Sequence, residues 1–298
     1  LKPVDITIQK SKLIVLPGFD GMPLFDVMIF FLRSVSRGAL TQRASAIAFN
    51  FFLALFPAIL FFFTLIPYLP IENLRANVIE LINNALPSSI YEFIFGTLND
   101  ILNRPHSGLL SVGFIMAIYF STRGFRSIIS SFHQSYILQD KSLSYWKLQW
   151  NSLVLVIIFS IVTLITILLI TFSNFIIDYL VLIDIINSTW TYNIILGANL
   201  ILYAAMIFFI ISFIYFIGSP KNEKFRFISA GSTLSTLLYG LSYLGFDYYI
   251  ASFSKYNVLY GSIGTIIILL MWIYFNALII LVGYELNLSI SQANSKSN

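Results

Sequence analysis

RASAIAFNFFLALFPAILFFFTLIPYLP, residues Arg43 to Pro70, decides the fold. One arginine and a few small residues lead into an apolar and aromatic run with no further charge. At about 1.5 Å per residue a helix of this length crosses a hydrocarbon core of ~30 Å with some tilt to spare. Arg43, Ser45 and Asn50 keep the polar atoms near one end. Pro57 falls where a soluble helix would break, but neighbouring helices in a membrane can satisfy the carbonyl it frees. The stretch predicts a membrane span.

Composition extends that prediction to the whole chain. Of 298 residues 58% are hydrophobic and 10% charged, with a mean hydropathy of +0.86; an average soluble domain carries roughly 25% charged residues. So few charges cannot cover a water-soluble surface, and an all-helical multi-pass membrane protein follows. The absence of cysteine excludes disulfides and thiol catalysis. The net charge of +4 is explained by membrane orientation and does not call for nucleic acid. Residues 1–12 are polar, so no cleavable signal peptide is expected; the chain starts at Leu1, which leaves open a start further upstream.

Working outward, Leu24, Val27, Met28, Phe31, Leu32 and Val35 recur at helical spacing before the span, with Asp26, Arg33 and Arg37 among them. This predicts an amphipathic helix that either lies on the membrane surface or packs against the cytoplasmic helix ends. The division expected is a cytoplasmic segment at 1–42, a membrane domain at 43–290 and a tail at 291–298. Six spans are expected at about 43–69, 107–130, 148–177, 194–217, 227–250 and 260–290. An outer amphipathic loop at 71–105 reads as two short helices split at Pro87. The fifth span is rich in small residues that permit close helix approach. With both termini inside, only Arg75, Arg104 and Lys255 fall on the outer side, so the positive-inside rule gives an N-in, C-in topology.

The chemistry-bearing residues are few. Arg123 and Arg126 lie three apart on one face near the inner end of the second span, in a stretch made polar by Ser121, Thr122, Ser127, Ser130 and Ser131. They either face a polar pocket or snorkel to the headgroups. Glu285, in GYELN of the sixth span, is an acid in an apolar helix, so it either pairs with Arg43, Arg123 or Arg126 or sits at the interface in water. Arg43, Arg123, Arg126 and Glu285 are therefore the pocket candidates. Guanidinium groups bind phosphate well, so an anionic phospholipid or lipid-linked substrate is the expected ligand. Asn174, Asn199 and Asn276 read as interhelical hydrogen-bonding amides, and Gly261 and Gly264 as packing or hinge positions. His106 and His133 lie at opposite ends of one span and cannot share a metal. No HExxH, paired-carboxylate or Walker A motif occurs, so no metal, cofactor or enzymatic activity is expected, ribonuclease included.

RASAIAFNFFLALFPAIL at Arg43 to Leu60 together with YGSIGTIIILLMWIYFNALIILVGYELN at Tyr260 to Asn287 resembles the YihY/virulence factor BrkB family of bacterial inner-membrane proteins. The resemblance also takes in the arginines after the second span and Pro220 before the fifth. It implies a multi-pass protein of the cytoplasmic membrane with an envelope role, in a family once labelled ribonuclease BN. The positions matching its pattern are Arg43, Ser45, Ala46, Pro57, Gly261, Gly283, Glu285 and Asn287. The function expected is binding or transport of an anionic amphiphile through a basic, cytoplasm-facing pocket lined by spans one, two and six. The alternatives are a non-transporting partner that organises an envelope complex and a proton-coupled small-solute transporter. Membrane lipids are the expected partners, nucleic acid is not, and a homo-oligomer is open.

Overall fold

The computed structural model describes residues 18–19, 21–69, 75–76, 78–80, 95–96, 99–102, 104–135, 138, 144–182, 189–219, 227–253 and 262–297. Pro87, most of the expected outer-loop helices, Pro220 with the 220–226 loop, and Gly261 lie outside them. The regular elements among the described residues are helical. They run α1 (Leu24–Arg37), α2 (Leu40–Leu65), a 3-10 turn (Ile66–Tyr68), α3 (Ser107–His133), α4 (Tyr145–Leu182), α5 (Thr189–Gly218), α6 (Ala230–Phe253) and α7 (Ser262–Ser297). Five stretches are long and apolar enough to cross a membrane: Leu40–Tyr68, Ser107–His133, Tyr145–Leu169, Gly197–Gly218 and Ile266–Ser295. The expected fifth span is the helix α6, whose small and hydroxylated residues lower its hydropathy. α7 continues through the expected tail as far as Ser297.

The chain forms two compact units, Leu1–Ala48 with Phe125–Asn298, and Phe49–Gly124. In the second unit the body of α2 packs on the body of α3. Gly113 lies against the Phe61 backbone, where a Cβ would sit 3.3 Å from its Cα, and Phe61 meets Phe114 at 5.4 Å between rings. Pro57 lies inside α2. Phe49, Phe56, Ile59, Phe62, Ile115 and Tyr119 point outward; in a bilayer these are lipid contacts, where in water they would form an aggregating patch.

In the first unit α7 is the central element. It packs against α6 and α1, and α5 lies against both α4 and α6. The α1 helix has Asp26 in its first turn, where the helix dipole favours an acid, and ends at Gly38, whose N–H reaches the Ser34 carbonyl at 2.7 Å. It buries Val27 with Phe19 and Met22 against Leu286, Ile290 and Ala293 of α7, so it packs on the helix ends, and it still exposes Met28, Ile29 and Leu32.

The start of α6 is held by a reciprocal cap. Ser229 Oγ accepts from the Ser232 N–H at 3.2 Å and Ser232 Oγ from the Ser229 N–H at 3.1 Å. Asn287 of α7 completes it: its Oδ1 accepts from the Gly231 N–H at 2.7 Å and its Nδ2 donates to Ser229 Oγ at 2.9 Å. Asn287 is thus a capping residue acting from a neighbouring helix. Asn287→Leu is expected to cost about 1–3 kcal/mol by leaving the Gly231 donor buried and unmet. Thermal unfolding of the detergent-solubilised protein measures it, and Asn287→Asp, which keeps the acceptor, recovers part of the loss.

Below this cap the two helices nearly touch. A Cβ on Gly231 would collide with the Gly283 carbonyl and the Asn287 side chain, and one on Gly283 with Ser235 and Tyr215. The hydroxyl of Tyr215, from α5, donates to the Ile280 carbonyl at 2.8 Å and lies 2.7 Å from Ser235 Oγ, so three helices share one buried polar contact.

Candidate functional site

Glu285 is fully buried on α7, and both its carboxylate oxygens accept hydrogen bonds. Arg43, in the first turn of α2, donates Nη1 to Oε1 at 2.7 Å. Ser135, just past α3, donates to Oε2 at 2.6 Å, and Ser34 of α1 donates to the same oxygen. Four elements therefore meet on one carboxylate. A carboxylate this deep carries a desolvation cost that only such a set of donors can offset. The neighbouring Tyr284 stacks on Phe132 at 3.8 Å between rings.

The corner between α1 and α2 aims the arginine. Arg43 Nη1 also donates to the Gly38 carbonyl at 3.0 Å. Gly38 has no room for a side chain, since a Cβ would fall 2.5 Å from the Ser34 carbonyl oxygen. Ala39 turns the chain with φ of +46°, a left-handed conformation that costs an alanine energy and persists because the surrounding contacts fix it. With Nη1 spent on Glu285 and Gly38, Nε and Nη2 of Arg43 are left without hydrogen-bond partners among the described residues, although the side chain is 5% exposed.

Arg43 lines a cavity of about 420 Å³. One wall is the start of α2, with Gly38, Ala39, Gln42 and Ala46; the other is the end of α3, with Ser127, Ser130, Ser131 and Gln134. The first turn of α2 carries no acidic residue of its own, and the end of α1 and the Glu285 carboxylate lie against it. The volume falls within the range of small-ligand sites. Chemically its lining brings together one arginine, the first turn of α2 and a rim of neutral hydroxyl and amide groups.

Of the arginines that the sequence offers to Glu285, Arg43 is the partner. Arg126 instead lies over the Tyr145 ring at 4.4 Å, and Arg123, exposed in the second unit, lies 5.9 Å from the centre of the Tyr119 ring. Neither is among the described lining residues of the cavity. Ala46 lines it; Ser45 turns away, donating to the Thr41 carbonyl at 2.9 Å. Asn50 is half-buried in α2, Gly264 lies in the first turn of α7, and Gly283 is the close-packing position described above. Asn276 bonds back to Trp272 of its own helix at 2.8 Å and does not join helices through that donor.

Ser34, Ser135, Gln42 and Gln134 were not legible as site residues. Ser34 alone left a signal: it continues the three- and four-residue spacing of the apolar face of α1, seven residues after Val27, where a hydroxyl interrupts an otherwise inward-facing stripe.

The model of the virulence factor BrkB family matches residues 31–298. The chain is 28% identical to a putative ribonuclease-like protein, YfkH, of Bacillus subtilis over 83% of its own length and 88% of that protein's. It is 26% identical to a UPF0761 membrane protein of Haemophilus influenzae over 87% and 92% of the two chains. A UPF0761 membrane protein of Idiomarina loihiensis is 35% identical over a shorter stretch, 30% of each chain. No solved structure matches. The chain belongs to the virulence factor BrkB family of multi-pass proteins of the bacterial cytoplasmic membrane.

Proposed function

We propose that this protein binds, and passes along its membrane domain, an anionic amphiphile whose charged group enters the cavity beside Arg43. The observation that carries the proposal is an arginine that lines a polar cavity and whose buried guanidinium keeps two donor atoms without a partner among the described residues. A buried donor without an acceptor is costly, and a phosphate or carboxylate oxygen pair matches the Nε and Nη2 edge side-on. Glu285, Ser34 and Ser135 act as positioning residues: they hold Nη1 so that the opposite edge of the guanidinium stays presented.

The topology that fits this role has six spans, α6 being the sixth membrane helix, with both termini cytoplasmic. The basic residues then gather on the cytoplasmic side and the cavity opens toward the inner leaflet, within reach of lipid headgroups. The 1–42 segment lies cytoplasmic to a membrane domain at 43–290. The ribonuclease-like label of the Bacillus relative is not carried over, and the carboxylate at this site is read as a structural acceptor for Arg43, Ser34 and Ser135.

Arg43→Lys tests the proposal. Lysine keeps the charge facing Glu285 but lacks the second, planar donor edge. Mass spectrometry of lipids retained by the gently purified protein is expected to show anionic lipid enriched on the wild type and reduced at least ~10-fold on Arg43→Lys, since each lost charge-assisted hydrogen bond is worth about 1.5–3 kcal/mol. Arg123→Ala with Arg126→Ala is expected to keep the enrichment. Equal retention by wild type and Arg43→Lys overturns the proposal.

A further inference from the structure

We infer that the cavity selects a singly charged phosphodiester carrying a neutral, hydroxylated headgroup, and discriminates against both phosphomonoesters and amine-bearing headgroups. The inference rests on the anion-binding role proposed for Arg43 and follows from the charge and donor inventory of the cavity wall. Arg43 is the one cation among the described lining residues, and it is already neutralised by Glu285 at 2.7 Å. The pair contributes no net charge. What remains to stabilise an anion is the outer edge of the guanidinium and the first turn of α2, whose dipole is offset in part by the end of α1 just before it. That suffices for a monoanion. The second charge of a phosphomonoester would stand in a partly dry site with no further cation among the described lining residues.

The same inventory argues against an ammonium group. A buried cation needs a carboxylate, and no acidic side chain is among the described lining residues. Glu285 cannot serve, because Oε1 is taken by Arg43 and Oε2 by Ser135 and Ser34. The wall opposite Arg43 is instead built for hydroxyls. Ser130 and Ser131 in the last turns of α3, and Gln134 just past its end, line it and offer both donors and acceptors. A diester with its phosphate on the Arg43 edge and its free hydroxyls toward Ser130 and Gln134 uses each surface for what it can bind.

The test is competition in nanodiscs of phosphatidylcholine holding the wild-type protein, with phosphatidylglycerol, phosphatidic acid and phosphatidylethanolamine as the competing probes and bound lipid read by native mass spectrometry. Phosphatidylglycerol is expected to be preferred at least ~10-fold over each of the other two. Water-soluble glycerophosphoglycerol separates the two sources of a diester: if it displaces phosphatidylglycerol, the headgroup alone is recognised, and if it does not, the site takes the diester as a lipid; both agree with the inference. A rim variant, Ser130→Ala with Gln134→Ala, removes hydroxyl recognition without touching the ion pair. It is expected to lower the preference over phosphatidic acid to the part that the second charge sets, while leaving anionic lipid bound above phosphatidylcholine.

Phosphatidic acid or phosphatidylethanolamine bound as well as phosphatidylglycerol by the wild type overturns the headgroup inference while the anion site stands. An unchanged preference in the rim variant also overturns it. Anionic lipids bound no better than phosphatidylcholine overturn the anion site itself, and the inference with it.

Discussion

Glu285→Leu is expected to destabilise the protein by about 3–5 kcal/mol, and Arg43→Met by a similar amount, whereas the two together recover most of the loss. Either single change leaves a buried charge without its partner, and in the interior that charge has no water to turn to. With both replaced by apolar groups of similar size, neither charge has to be desolvated, and such exchanges are often neutral. The Ser34 and Ser135 hydroxyls lose their acceptor in the double variant, so recovery falls short of complete by about 1 kcal/mol. Thermal unfolding of the four proteins in detergent gives the coupling directly. Additive losses in the double variant would mean that the pair seen in the structure contributes nothing specific.

Gly283→Val is expected to prevent α6 and α7 from packing and to abolish recovery of folded protein. A single Cβ there would strike both Ser235 and Tyr215, and these cannot withdraw independently, because their hydroxyls are bonded to one another and to the backbone of α7. Overpacking costs typically about 1–3 kcal/mol when side chains can shift. Here the shift also strands buried hydroxyls, so the effect is larger. Size-exclusion profiles of the solubilised variant check it. Gly240→Val, on the exposed face of α6 with open space around it, is the matched control and is expected to leave the profile unchanged.

Much of this architecture can be read without coordinates, for reasons that lie in particular residues. The uncharged run after Arg43 is long enough to be decisive, and α4 and α5 are apolar on all sides, which marks a membrane helix. The helix α6 is visible through its glycines and serines, even though those same residues keep it below the hydropathy of the five helices long and apolar enough to cross a membrane. At the site, the isolation of Glu285 in an apolar helix shows that it needs a partner. Which arginine answers is not legible, because Arg43, Arg123 and Arg126 all come near the same depth and only the corner at Gly38 and Ala39 turns one of them inward.

Ser34 and Ser135 were missed for a similar reason: a serine in sequence says nothing about a carboxylate 251 or 150 positions away. Asn287 shows the same limit from the other side. Its place in a family pattern gives it no role, whereas the structure makes it the cap of a helix that begins 57 residues earlier, at Ala230.

The compensated variant Arg43→Met with Glu285→Leu also separates architecture from binding. Lipid retained by this folded double variant, compared with wild type by mass spectrometry after identical gentle purification, tests the central claim most directly. Loss of the anionic enrichment from a protein of wild-type monodispersity is the predicted result, because the membrane domain stands without the pair but no guanidinium edge remains to hold an anion. Anionic lipid retained at the wild-type level would contradict the account and leave the Arg43–Glu285 pair with a purely architectural role.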